Sequence, residues 1–185
     1  MVLPIFVYGN PVLRKKAVDI GPDYPKFNDF VTNLWDTLEK CDGLGLAAPQ
    51  VGEAIRMFAI DGKRLVEDDP SMEGFRKLFI NARILERSGE DNTYNEGCLS
   101  LPGIHEDVIR KSIIRINYQD ENFVTHEETF DGLKARIIQH EYDHIDGILF
   151  VDHLSPLKRK MLKGKLTAIM LGKADAKFKM KLPKK

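Results

Sequence analysis

His140-Glu141-Tyr142-Asp143-His144 is the stretch that decides how this chain is read. Residues four apart on an α-helix lie one above the other, so His140 and His144 share a face and reach a single divalent ion. Glu141 stands beside them, placed to handle a proton of water at that ion. The helix is expected to begin after Asp131, a good cap residue, and to end near Gly147. Leu133, Ile137, Ile138, Tyr142 and Ile145 make it apolar on several sides, so it belongs inside the molecule. A first helix is expected over roughly 25–41, with Phe27, Phe30, Val31, Leu34, Leu38 and Cys41 as its apolar stripe. Runs of β-type residues follow at 55–61, 77–86 and 109–119. Strands between helices without regular alternation predict an α+β fold. Small β-sheets would pack around a central helix carrying the HExxH pattern, with a further helix near the C-terminus.

HExxH alone leaves the third ligand open. A metzincin takes it six residues after the second histidine, and Phe150 stands there. A thermolysin-type site takes a downstream glutamate, yet no glutamate follows Glu141. The ligand must come from upstream. In Glu96-Gly97-Cys98-Leu99-Ser100 a lone cysteine follows a glycine in a short extended stretch. Read singly, Cys98 is also a small buried hydrophobe. Beside an HExxH that lacks its third ligand, it is the ligand candidate. One thiolate and two imidazoles leave a fourth tetrahedral position for water, the catalytic arrangement rather than the closed structural one.

A third segment, Gly43-Leu44-Gly45-Leu46-Ala47-Ala48-Pro49-Gln50, holds two glycines, two alanines and a proline. Such small residues are not expected to build a core element. They let backbone approach a ligand, with Gln50 as the polar group at the end, and Gly43 is placed to stop the first helix.

These three motifs together resemble the peptide deformylase family, as GLGLAAPQ at 43–50, EGCLS at 96–100 and HEYDH at 140–144. The likeness spans roughly residues 3–170, from Gly9-Asn10-Pro11-Val12-Leu13-Arg14 to Asp152-His153-Leu154-Ser155-Pro156-Leu157. Two departures stand outside the motifs: residues 61–77 are longer and more acidic than the family pattern, and the end of the chain is unusually lysine-rich.

The resemblance implies removal of the formyl group from formyl-methionine of newly made polypeptides, releasing formate. Cys98, His140 and His144 would hold the ion. Glu141 would carry the proton, while the Gln50 side chain and the Leu99 backbone N–H receive the developing oxyanion. The implied methionine pocket is lined by Leu44, Tyr94, Leu133, Ile137 and the edge of His140, with the Arg136 stem nearby. Gly43, Leu44, Gly45, Glu96 and Gly97 would border the bound peptide, which pairs as an added strand. One Fe(2+) per chain is the family's ion, although the donor set equally suits Zn(2+), Ni(2+) or Co(2+), which purified protein can carry.

Composition bounds the rest. A chain of 185 residues with 43% hydrophobic content suits one core. Residues 1–172 are expected to form a single catalytic domain, working as a monomer, and 173–185 a disordered Lys-rich tail. No run approaches the roughly 18–20 apolar residues of a membrane span. Two cysteines make no disulfide framework, and a ligand thiolate needs a reducing compartment, so a cytoplasmic protein is expected. Zero net charge hides an asymmetry: residues 156–185 hold eleven Lys or Arg against one acid, Asp175. Ser155 and Pro156 open a helix there, with Leu157, Met161, Leu162, Leu166 and Ile169 as its stripe. Its basic charge suits either a solvated face or contact with ribosomal RNA near the exit of the nascent chain. Deleting 173–185 is expected to leave turnover of short peptides unchanged, because no motif residue lies there. An endopeptidase, a non-catalytic ribosome-bound protein and a purely structural metal domain are the competing readings. The missing ligands, the intact catalytic set and the absence of a fourth ligand argue against them in turn.

Overall fold

Met57-Phe58-Ala59-Ile60-Asp61 is apolar without alternation, the signature of a strand covered on both faces. The computed structural model, which describes residues 1–184, shows what covers it. In chain order the elements are β1 (Ile5–Phe6), α1 (Phe27–Lys40), β2 (Gly45–Ala47), β3 (Met57–Asp61) and β4 (Arg76–Gly97). Then follow β5 (His105–Gln119), β6 (Thr125–Asp131), α2 (Gly132–Ile145), α3 (Pro156–Met170) and β7 (Met180–Lys181). Strands β2 to β6 form one antiparallel sheet in sequence order. Phe58 and Ile60 face α2, packing with Phe79, Ile114, Ile138, Tyr142 and Ile145. Met57 and Ala59 face the other way, toward Leu34, Leu38 and Cys41 of α1. The fold is α+β, with the HExxH helix held against the sheet.

Several expectations are corrected. The Gly43–Gln50 segment does build core: Leu46, Ala47 and Ala48 are fully buried, in β2 and the short 3-10 turn after it. Small side chains let this edge strand sit close beneath α2 instead of excluding it from the interior. Helix α1 is ended by Asp42, in the left-handed region at φ 58°, with the Gly43 N–H bonded back to Leu38 O. Strand β4 runs on to Gly97, well past the apolar run that marked it, because antiparallel pairing with β5 carries it through polar sequence. Strand β6 is mostly polar, alternating on an edge, and its sequence gave no apolar run to find.

The C-terminal region forms its own cluster, in which Leu162, Leu166 and Ile169 of α3 pack on Val7, Leu101, Leu149 and Phe150. Ser155 caps α3 by accepting from Lys158 N–H at 3.3 Å. Leu157 and Met161, expected on the buried stripe, are 69% and 76% exposed. The helix touches the core along a narrower arc than its apolar positions span. Residues 173–184 are not a disordered tail. They turn at Gly172 and run back to pair β7 in parallel with β1. Arg14 forms an ion pair with Asp152, joining the segments that flank the fold at its two ends.

Candidate active site

Strand β4 ends at Gly97, and the chain then turns tightly, with Leu101 N–H bonded to Cys98 O at 2.9 Å and Tyr8 N–H to Ser100 O at 2.9 Å. This brings Cys98 against α2. Cys98 Sγ lies 3.3 Å from His144 Nε2, and the ligand atoms of Cys98, His140 and His144 all fall within 4.8 Å of one another. Among the described residues this is the one group of three or more such side chains able to hold a metal ion.

Each ligand is oriented by its surroundings. Glu96 Oε2 lies 2.8 Å from His140 Nδ1, which leaves Nε2 to face the cluster. Glu96 itself accepts from Arg110 at 2.7 and 3.0 Å and from Arg136 at 2.8 Å. Arg110 also donates to Asp143 at 2.7 Å, and Asp143 lies 2.8 Å from His153 Nε2. Burial opposes the charge on Glu96, yet hydrogen bonds from Arg110 and His140 hold it well below the usual carboxylate range. Burial works against a charged His140 too, while Cys98 and Glu96 raise its proton affinity well above an ordinary imidazole. His144, by contrast, is kept neutral by burial and by His140.

Glu141 is 4% exposed, and burial pushes its carboxyl up to about 7. Its Oε2 is buried with no hydrogen-bond partner. Gly45 makes room for it: a Cβ there would meet Glu141 Cδ at 2.7 Å. Gln50 is locked by Oε1 accepting from Ala47 N–H at 2.8 Å, which turns Nε2 toward Cys98 Sγ at 3.4 Å and Ser100 Oγ at 3.3 Å. The Leu99 N–H makes no hydrogen bond among the described residues. The Gln50 side-chain donor thus reaches the ligand cluster, beside which the Glu141 carboxylate lies. The donor set fits a divalent ion: an S/N/N triad with an unpartnered buried carboxylate beside it.

These groups open on a cleft of about 700 Å³, a size suited to a small peptide segment. Gly43, Leu44, Gly45, Tyr94, Glu96, Gly97, Arg136 and Ile137 border it. Leu133, expected in the methionine pocket, is not among the residues that border the cleft; it is partly buried and packs against the core. The Arg136 guanidinium is tied to Glu96 and to the Val108 and Asn92 carbonyls, so it braces the site from below. Sequence reasoning missed Arg110, Asp143 and Ser100. Arg110 left a trace, since Val108 and Arg110 occupy successive inward positions of β5, and a buried cation needs acids around it. The cleft is also bordered by Asp175, Ala176, Lys177 and Phe178, from the segment read as tail.

A buried helix that offers two imidazoles and a carboxylate to a cysteine at a strand end defines a metal-dependent hydrolase. Comparison with known proteins is more specific. The polypeptide deformylase family model matches residues 2–160. The chain is 50% identical to a peptide deformylase of Christiangramia forsetii, over 99% of its own length and 97% of that protein. It is 47% identical to one from Flavobacterium johnsoniae, over 98% and 96%. A solved peptide deformylase from Legionella pneumophila superposes with a TM-score of 0.79 at 34% identity, covering 90% of this chain and 94% of that one. The chain belongs to the polypeptide deformylase family, metal-dependent enzymes that remove the N-formyl group from nascent polypeptides.

Proposed function

We propose that Cys98, His140 and His144 hold one Fe(2+) per chain and that Glu141, Gln50 and Leu99 carry the hydrolysis of the formyl amide. The observation that carries this reading is the buried, unpartnered Glu141 Oε2 beside the ligand triad. When bound, the ion supplies Lewis acidity, lowering the pKa of water and polarising a carbonyl oxygen. Glu141 Oε2 takes the proton as water attacks the formyl carbon, and later gives it to the departing α-amine. A carboxyl near neutrality is suited to both halves of that transfer. Gln50 Nε2–H and the Leu99 N–H donate to the formyl oxygen as negative charge builds there. Formate and a peptide with a free N-terminal methionine leave.

Substrate binding follows from the sheet. Strand β2 is its edge, so one side of Leu44–Gly45 is unpaired and faces the cleft, where an extended peptide can add as a strand. Tyr94, Ile137 and the His140 edge supply an apolar pocket for the methionine. Main-chain pairing of this kind tolerates many sequences after methionine.

Iron is the finer part of the assignment, because thiolate and imidazole suit zinc, nickel and cobalt as well. Both cysteines are free, which fits the reducing cytoplasm. No helix among the described residues is long and apolar enough to cross a membrane. The outward face of α3 presents Lys158, Arg159, Lys160, Lys163 and Lys165, a basic surface suited to ribosomal RNA, and the protein is proposed to act as a monomer.

Glu141→Ala tests the mechanism. In anaerobically prepared protein its metal content should stay near wild type while formate release falls by roughly 10²-fold or more. Activity within a few-fold of wild type would remove Glu141 as the proton carrier. Cleavage of internal peptide bonds without formate would revive an endopeptidase.

A further inference from the structure

Residues 173–178 leave α3 and cross beside the cleft before β7 begins. They are pinned at both ends. At Gly172 the chain turns with φ 70°, where an added Cβ would meet Leu182 Cδ1 at 2.8 Å. Beyond Phe178, Ile5 N–H donates to Lys179 O at 2.9 Å and Val7 N–H to Lys181 O at 3.2 Å. Asn10 Nδ2 adds a bond to Lys181 O at 2.8 Å. Ala174, Ala176 and Phe178 are partly buried, while Asp175 and Lys177 between them are exposed. The backbone bends at Ala174 and again at Lys177 and Phe178, so this covered side follows from a bent, irregular segment. Phe178 packs into the cluster holding Leu38, Cys41 and Leu99, so the segment sits against the same surface that carries the Leu99 N–H.

Two features point to a ligand. First, Asp175 to Phe178 border the cleft that holds Cys98 and Glu141. Second, among the described residues no hydrogen bond engages the backbone of 174–178. Backbone with unpaired polar groups beside a groove is a ready partner for an extended chain. Charge at this rim is uneven. Asp42 is taken up by Arg64, whereas Lys40 and Lys177, which border the same cleft, make no ion pair among the described residues.

We propose that residues 175–178 form the wall of the groove that receives the substrate beyond its second residue, with Lys177 favouring acidic side chains there. This rests on the deformylase reading of the same cleft. The segment touches residues that distinguish one nascent chain from another, and leaves the chemistry at the formyl group alone.

The test compares Lys177→Glu with wild type on a formyl-Met dipeptide and on formyl-Met tetrapeptides bearing Glu or Lys in the later positions. Lys177 is exposed, so the fold should tolerate the change, and a thermal melt checks it. Turnover of the dipeptide should be unchanged. The KM for the Glu tetrapeptide should rise, and that for the Lys tetrapeptide fall, by about three- to tenfold, the size of one polar contact, with kcat constant. Phe178→Ala gives an independent reading, raising KM for both tetrapeptides and sparing the dipeptide. Unaltered KM values on all tetrapeptides in both variants would overturn the proposal while leaving the deformylase reading intact. A wild-type protein that releases no formate from the dipeptide would instead remove the reading beneath it.

Discussion

A methyl group at position 45 would sit 2.7 Å from Glu141 Cδ, closer than packed atoms tolerate. On the proposed mechanism glycine there is a condition of catalysis, because it lets the carboxylate occupy space against the strand. Gly45→Ala should therefore displace Glu141 and lower kcat by roughly 10- to 100-fold, the cost of misplacing a reacting group by about 1 Å. Metal content should be unchanged, and a variant with wild-type kcat would show that the carboxylate has room to spare. Glu96 acts at the same scale through His140. Replacing it with Gln removes the charge that fixes the ring and leaves Arg110 and Arg136 without their shared acid. Metal affinity in Glu96→Gln should drop by about 10- to 100-fold, as for other partners that orient ligands. Titration with a competing chelator gives that ratio directly.

Helix α3 has the same apolar letters on two arcs, and only one arc does the packing. Leu166 is 8% exposed, while Met161 is 76% exposed. Leu166→Ala should cost about 2–4 kcal/mol, the usual range for a large side chain removed from a core. Met161→Ala should stay within about 0.5 kcal/mol, as expected on the surface. Denaturant unfolding distinguishes the two, and equal losses would mean that the exposed arc is covered by something in solution. Helix α2 differs in kind. Its charged residues Glu141 and Asp143 are as buried as its isoleucines, so its polar side is inside, where Asp143 is paired with Arg110 and His153 and Glu141 Oε2 has no partner.

For the whole molecule, the buried acids set the response to pH. Glu96 and Asp143 are both held below the ordinary carboxylate range, Glu96 by Arg110 and His140 and Asp143 by His153 and Arg110, against the opposing effect of burial. A carboxylate whose pKa is depressed on folding contributes stability that is complete above its unfolded value and is lost as pH falls through its folded one. The contribution of these two acids should be flat above about pH 6 and fall away below about pH 5, where unfolded carboxylates begin to bind protons. Asp143→Asn should be less stable at neutral pH and should show a shallower acid limb, so the gap to wild type narrows on acidification. Parallel acid limbs in the two proteins would place the pH response elsewhere. The chain ends belong to this scale too. Deleting 173–185 removes the β1–β7 pairing and part of the cleft wall, so it is no longer a neutral truncation.

What the sequence determined by itself was the family and the candidate metal cluster. His140, Glu141 and His144 follow from helical periodicity, which is local, and Cys98 follows because the pattern lacked a third ligand. Helix α1, the buried strand β3 and the Ser155 cap were legible for the same reason: each is written within a few neighbouring residues. Only the tertiary structure decided what depends on distant partners. Asp143 reads as a helix-surface acid until Arg110 and His153 arrive from elsewhere. Polar β6 becomes a strand because β5 offers it hydrogen bonds. Gly45-Leu46-Ala47 looks like a loop until the closeness of α2 turns small side chains into a packing requirement. The Lys-rich end has the composition of a free tail, yet the short unpaired strand at Ile5–Phe6 gives it somewhere to lie, and no local pattern announces such a partner.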